Sequence, residues 1–425
     1  MSLDSHLSPA SENKQSIYQT TIDAILSPSR LSELTAADVD PILYDAYSFY
    51  SRIWSIHGRN LSMLMMPLLM LLLWGLGWQL LFVYSYETGE IQAFIASIDQ
   101  LVVPILTPLS FLLTFRLGRA AVRFWDGRTA VGKIIGICRS NISTVSVAVI
   151  SPIRVRKQNY TWNIKHKTNQ NNNSDQIDVS DDELSIFCEN NQDEDIAVEL
   201  LCSYARWLSV FPIAVNHHIR TATPKGWNEN DIYKKHRYEI GTLISEDDAQ
   251  KVVMPCDDES GNPTIDTSKG VRMRDPPLVV LNRLQQLAYD ISYCTYVSAD
   301  SRHVTPSAPN RAILYQQVIN QLNELNLAYG AIERIKNTPL PFAYTIHLRT
   351  FLLLYLFLWN MTSVAEYGWV SLPFLFLLNW ALLGIEAAAV ECECPFQYRQ
   401  NHLTLGKTAV LISKNIGQAL RELAA

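Results

Sequence analysis

Apolar positions along this chain are gathered into long blocks, not spread evenly. Leu61 to Tyr84 reads LSMLMMPLLMLLLWGLGWQLLFVY without one formal charge. At about 1.5 Å per residue such a run crosses a hydrocarbon core of roughly 30 Å, and buried globular helices rarely stay uncharged on every face for that length. It predicts a transmembrane helix. A second apolar run, roughly Ile91 to Phe115, carries Asp99 near its start and Pro104 and Pro108 within it. Proline removes a backbone donor and crowds the preceding turn, so this span is expected to be bent or loosened there. Thr350 to Ala365 and Tyr367 to Ile385 are two further uncharged runs, separated by Glu366. The first is short, and extends back through Arg349 and His347 only if those side chains reach the interface or a wet cavity. The pattern predicts an all-α integral membrane protein with four transmembrane helices in two pairs.

Between the pairs the periodicity changes. Helical patterns are expected at Val198 to Arg220 and at Pro277 to Val297. From Arg311 to Ile335 the apolar positions Ile313, Leu314, Val318, Leu322, Leu325, Leu327 and Ile332 recur at near-helical spacing and predict one long packed helix. That helix runs into Gly330 to Tyr344, GAIERIKNTPLPFAY, which passes from a charged helix face into an apolar run. Pro339 and Pro341 bracket a single leucine, Leu340, so a non-helical joint is expected from Thr338 to Phe342. Glu333 and Arg334, at the end of the incoming helix, are either ordinary interfacial residues or parts of that joint.

Two polar stretches interrupt the section. Residues 159–195 carry the tract Asn169 to Asp175 and the acidic clusters Asp181-Asp182-Glu183 and Asp193-Glu194-Asp195. The apolar content is too low to fold alone, and a disordered insertion is expected. Residues 221–274 read as a second, polar insertion. The expected segmentation is an amino-terminal segment at 1–50, a first transmembrane pair at 51–130, a helical region at 131–342, a second pair at 343–392 and a carboxyl-terminal segment at 393–425.

Flanking charge predicts orientation. Arg52, His57 and Arg59 precede the first span, Glu87 and Glu90 follow it, and Arg116, Arg119, Arg123, Arg128 and Lys133 follow the second. By the positive-inside rule both termini and the long helical region face the cytoplasm or its topological equivalent. No address motif is legible, so the plasma membrane and organelle membranes, the thylakoid included, stay open. The seven cysteines fall in the predicted cytosolic parts or at their edge, and reduced thiols are expected. Membrane lipid is an expected partner; nucleic acid is not.

The second span carries the candidate chemistry. Thr107, Phe111 and Phe115 fall at i, i+4 and i+8 on one helix face, with Arg116, Arg119 and Arg123 following at intervals of three and four. Taken alone, such a stripe is a packing or lipid-facing surface followed by interfacial arginines. Glu386, late in the last span, is a packing residue or, as an acid inside a membrane segment, a functional one. Cys392, Cys394 and His402 lack the second ligand pair of a soft-metal site, and no P-loop, dinucleotide fingerprint or nucleophile elbow is present. Neither an enzyme nor a bound cofactor or metal is expected.

Four motifs, in order, change this reading. Phe115 to Arg128, FRLGRAAVRFWDGR, resembles the second-helix signature of the bestrophin family, which includes Arg116, Arg119, Arg123, Trp125 and Arg128. Trp207 to Arg220 is similar to that family's cytosolic helix, Gly330 to Tyr344 to its Glu-Arg-Ile and Thr-Pro-x-Pro-Phe joint, and Glu391 to Leu405 to the element after its last span. The resemblance implies a homopentameric channel with a pore on the fivefold axis. It assigns an apolar neck to Thr107, Phe111 and Phe115, a cytosolic constriction to Leu340, and a structural joint to Glu333, Arg334, Pro339, Pro341 and Phe342. The implied activity is passive conduction of chloride, bicarbonate or other small monovalent anions. Thr107 departs from the family's aliphatic residue there, and its hydroxyl is expected to make the neck wetter. Animal members are opened by calcium held in an acidic cluster after the Pro-Phe pair, whereas Pro395-Phe396 is followed here by Gln397, Tyr398, Arg399, Gln400, Asn401 and His402. Hard calcium needs oxygen ligands that this stretch does not offer. In that respect the tail resembles bacterial and plant-type members, some of which conduct cations. A cation-selective channel, a secondary anion transporter and a non-conducting scaffold are the alternatives.

Overall fold

The computed structural model describes residues 8–36, 61–84, 89–170, 181–220, 229–253, 275–293, 308–399 and 401–424. In chain order its helices are α1 (Ser8–Ile25), α2 (Pro28–Ala36), α3 (Leu61–Tyr84), α4 (Gly89–Val102), α5 (Leu106–Gln170), α6 (Asp181–Ile219) and α7 (Glu229–Gly241). They continue with α8 (Glu246–Val253), α9 (Pro276–Tyr293), α10 (Ala308–Asn337), α11 (Phe342–Tyr367), α12 (Ser371–Glu393) and α13 (Leu405–Ala424). The chain forms two compact units. One comprises Met1–Asp38, Ala130–Ile332 and Thr404–Ala425, the other Val39–Thr129 and Glu333–Leu403. The joint at 333–342 and the segment 393–403 therefore belong with the membrane spans, where sequence segmentation put them with the helical region and the tail.

In the membrane unit α3 is uncharged throughout and leaves Met65, Met66, Leu69, Met70 and Leu73 exposed, the surface that lipid requires. The second span is built in two pieces. Helix α4 stops at Val102, a 3-10 turn containing Pro104 spans Val103–Ile105, and α5 begins at Leu106 with Pro108 in its first turn, where its missing N–H costs nothing. Helix α11 packs on α3 and α4, and α3 on α12. Their core includes Leu64, Leu68 and Leu71 of α3, Leu109 and Leu113 of α5, Leu348, Leu352 and Leu356 of α11, and Leu382 and Leu383 of α12. Two buried asparagines beside it pair with each other. Asn360 and Asn379 exchange amide hydrogen bonds of 3.1 and 3.2 Å, and Asn360 Nδ2 also reaches the Leu356 carbonyl at 2.7 Å. Gly75 leaves room for that pair, since a Cβ there would meet Asn360 Oδ1 at 3.4 Å. Helix α11 ends at Gly368, whose φ of +60° is strained for any side-chain-bearing residue.

Among the described residues, four stretches are by length and composition apolar enough to cross a membrane: Leu64–Tyr84, Gly89–Ile150, Asp195–Ile219 and Phe342–Glu393. The third is 72% buried, wrapped by its own unit, whereas the fourth contains both α11 and α12. A helix hydrophobic all round is either a core or a membrane helix, and burial decides between them. The spans are accordingly α3, α4 with the start of α5, α11 and α12, in an integral multi-pass protein. Helix α11 does run back through His347 and Arg349 to Phe342.

In the other unit α6 is the centre, packed by α1, α9 and α13. Leu201, Ala205, Leu208, Phe211 and Ile213 are fully buried. Tyr204 Oη donates to Asn141 Oδ1 at 2.5 Å and Asn141 Nδ2 to Gln321 Oε1 at 3.1 Å, tying α6, α5 and α10 together. On α7 the His236 ring stacks on His217 at 3.5 Å, and His217 Nε2 lies 2.5 Å from Glu239 Oε2. Cys138, Cys202, Cys392 and Cys394 form no disulfide.

The stretch 159–195, expected to be disordered, is helical where it is described: α5 carries on to Gln170 and α6 starts at Asp181. Composition asks whether a segment folds alone, but a helix that extends an already packed helix needs no nucleus of its own. The polar insertion likewise contains α7 and α8. Residues 171–180, 221–228 and 254–274, like the orienting charges Arg52, His57, Arg59 and Glu87, lie outside the described residues.

Candidate functional site

Helix α5 begins at the broken turn and buries one face while baring another. Leu109, Leu113, Arg116 and Ala120 are at most 1% exposed, whereas Phe111 is 62% and Phe115 52% exposed, and Thr107 is exposed as well. The two rings meet edge to face with centroids 4.6 Å apart. Ser110 and Thr114 lie beside them, and their hydroxyls donate back to the carbonyls of Leu106 and Ser110. Turned inward on the helix, those hydroxyls lose donor capacity toward the open side of the stripe. The uncovered face continues through Gly118, Val122 and Trp125, with the Arg128 guanidinium 5.3 Å above the Trp125 ring.

The signature arginines have three different fates. Arg119 points into the open. Arg116 is fully buried and grips two acids of α12: Nε to Glu386 Oε2 at 3.1 Å, Nη2 to Glu386 Oε1 at 3.3 Å and Nη2 to Glu393 Oε2 at 2.9 Å. Arg349 of α11 adds a 2.8 Å bond to Glu386 Oε1. Two arginines thus face two carboxylates, which is how charge is tolerated at membrane depth. Arg123 caps two helix ends at once, donating to Ile335 O at 2.5 Å and Thr338 O at 2.7 Å at the end of α10, and to Glu393 O at 3.3 Å at the end of α12. Carbonyls at a helix carboxyl end lack intrahelical donors and carry the negative end of the dipole, so a guanidinium satisfies both.

Helix α10 stops at Asn337 and α11 starts at Phe342, so the joint is Thr338 to Pro341. Its backbone hydrogen bonds can be followed one by one. Thr338 N donates to Arg334 O at 3.0 Å, Thr338 O accepts from Arg123, and Pro341 O accepts from Thr345 N at 3.2 Å. Pro339 and Pro341 have no N–H. The one remaining donor, Leu340 N, goes to Glu393 Oε1 at 3.4 Å. Leu340 is half-buried, whereas Pro339, Pro341, Arg334 and Phe342, the last 79% exposed, lie open, and Glu333 is partly covered.

The second-helix signature also meets the segment after α12. A Cβ on Gly127 would come within 3.1 Å of Phe396 Cζ, 3.4 Å of Leu403 Cδ1 and 3.5 Å of Pro395 Cγ, so the glycine of one motif is the seat for the Pro-Phe pair of another. Below the pair Glu391 accepts from Arg399 Nη1 at 2.8 Å and lies 3.0 Å from His402 Nε2. Arg399 and His402 thus close this turn on one carboxylate. Gly127→Val is expected to cost about 2 kcal/mol through overpacking, read as a lower midpoint in a detergent melt. Gly77→Ala, with nothing within 4 Å of its Cβ, serves as the silent control.

The stripe, the joint and the arginines are visible in the sequence as residues and spacing; the partners of Glu386 and Glu393 are not. The available signal was spacing. Glu386 and Glu393 are seven apart, as are Arg116 and Arg123, so each pair shares one helix face two turns apart.

These features define an all-α, multi-pass membrane protein whose broken second span bears an uncovered aromatic stripe. The family described as Bacterial/Fungal Bestrophin protein matches residues 276–418. A voltage-dependent anion channel-forming protein of Nostoc sp. is 27% identical over 74% of this chain and 75% of its own. One of Synechocystis sp. is 24% identical over 75% of this chain and 76% of its own. The crystal structure of a bacterial bestrophin homologue from Klebsiella pneumoniae superposes with a TM-score of 0.53 at 15% identity, covering 84% of this chain and 98% of that one. About a third of the chain thus matches the bestrophin family model, and the fold is bestrophin-like.

Proposed function

We propose that the protein is a passive anion channel, a homopentamer whose pore is lined by the uncovered face of α5. The carrying observation is that Thr107, Phe111 and Phe115 stand exposed on a helix whose other face is completely buried. Five copies turned to a common axis would make an apolar neck, and a second narrowing would form where five Leu340 side chains meet. A narrow apolar ring selects by the cost of stripping water from the ion. Phenylalanine edges carry the positive part of the ring quadrupole and offset that cost for an anion. Thr107 keeps the entrance to the neck wetter. The Nostoc and Synechocystis relatives bear the name of voltage-dependent anion channel-forming proteins, which supports the same reading. On this reading both termini lie on the side of Arg119 and Lys133, chloride or bicarbonate is carried, and no cofactor takes part.

The test is bilayer recording of the purified protein under a chloride gradient, with wild type beside Phe111→Ala and Leu340→Ala. The expected result is a reversal potential near that of chloride, with conductance raised about fivefold by Phe111→Ala, equivalent to about 1 kcal/mol of barrier. A reversal potential that follows the cation would overturn the selectivity, and silence of a folded oligomer would overturn the channel.

A further inference from the structure

Resting on the channel reading, we infer that Glu393 is the positioning residue of the Leu340 constriction. Its carboxylate joins the single free amide of the joint to the buried Arg116 of the pore helix. The argument starts from the Pro-Leu-Pro run. Two of its three residues have no N–H, so everything that backbone donors can do to hold the run in place is done by Leu340 N. That amide goes to Glu393 Oε1 at 3.4 Å. The other oxygen, Oε2, takes Arg116 Nη2 at 2.9 Å, and the backbone carbonyl of the same residue takes Arg123 Nε at 3.3 Å. One residue is therefore bonded through three acceptor atoms to the joint and to two signature arginines.

The charges give the contact its direction. Arg116 is completely buried and bound to Glu386, which in turn is held by Arg349, so the guanidinium is a fixed point. A hydrogen bond to an ionised acceptor is shorter and stronger than one between neutral groups. An ionised Glu393 therefore draws the Leu340 amide toward α12 and fixes how far the leucine side chain reaches. Without the carboxylate the Pro-Leu-Pro run keeps its stiff φ angles but has no donor contact left, and the leucine is free to swing about Thr338 and Phe342.

Two measurements test this. The first is double-mutant recording of wild type, Glu393→Ala, Leu340→Ala and the double variant. If Glu393 acts through Leu340, Glu393→Ala changes chloride conductance at least threefold, and the effect of Leu340→Ala largely vanishes in its background. Glu393→Gln, which keeps an acceptor for the amide but loses the charge facing Arg116, falls between. Additive effects, or a Glu393→Ala channel identical to wild type, would overturn the inference. The second does not need conduction. Because Pro339 and Pro341 carry no amide, hydrogen exchange of the Pro339–Pro341 stretch reports Leu340 alone. Its exchange should accelerate at least tenfold in Glu393→Ala and in Glu393→Gln less, measured on the full protein in detergent. Unchanged Leu340 protection would sink the positioning role. A silent wild type with accelerated exchange would instead reject the channel and keep the contact.

Discussion

Arg116→Met is expected to destabilise the membrane unit by about 3–5 kcal/mol, the cost of leaving buried acids without their partner. The guanidinium has no exposure, and its bonds to Glu386 and Glu393 run from 2.9 to 3.3 Å. Methionine fills much the same volume, so the loss is electrostatic and not a cavity. Glu386 keeps Arg349 at 2.8 Å, whose side chain is 42% exposed, but Glu393 is left nearly buried with no arginine on its carboxylate. The pair balance of two cations and two anions becomes one against two. In a tryptophan-fluorescence melt in detergent the midpoint should fall by on the order of 10 °C. Adding Glu393→Gln to Arg116→Met should recover more than half of the loss, because the Arg349–Glu386 pair then stands alone and neutral overall. A drop under about 1 kcal/mol would mean that water reaches the cluster, and the burial argument would fail.

The same cluster marks the boundary of what sequence could teach. The spans were legible because the bilayer fixes a length, and Leu61 to Tyr84 meets it without a charge. The joint was legible because proline chemistry is local: nothing elsewhere in the chain can give Pro339 or Pro341 an N–H. The Thr107, Phe111 and Phe115 stripe was visible as periodicity, but not its exposure, which depends on which side of α5 the other helices cover. Arg116 could not be told from Arg119, since an arginine at the end of an apolar run reads as interfacial until the helix opposite is known. That helix is α12, and Glu393 lies 277 residues from Arg116 in the chain. The apolar stretch Asp195–Ile219 makes the converse point. Composition alone admits it as a membrane span, and its helical pattern in a charged neighbourhood was the better guide to a core helix.

Acid should loosen the other unit, and its sign follows from a histidine kept neutral. Burial, then the neighbouring His217, stacked at 3.5 Å, and Lys235 push the His236 imidazole down from 6.5 to about 2. The unfolded chain protonates that ring near pH 6.5 while the folded one does not. Stability is therefore fully present above that pH and falls below it by up to about 1.4 kcal/mol per pH unit. Burial opposes the charge on Glu239, but the hydrogen bond and charge of His217, with Lys235, outweigh it and lower its pKa. Its contribution is kept until the pH falls below about 4.5 and adds to the loss only beyond that point. Arg30, which also faces this cluster, is pushed down to about 10 by burial against the pull of Glu239 and stays charged throughout. Between pH 7.5 and 5.0 His236 alone should thus cost about 2 kcal/mol. His236→Phe keeps a ring to stack on His217 and cannot titrate. Wild-type melting midpoints should fall across that window while those of the variant stay nearly level, and parallel curves for the two proteins would show that His236 does not carry the acid sensitivity.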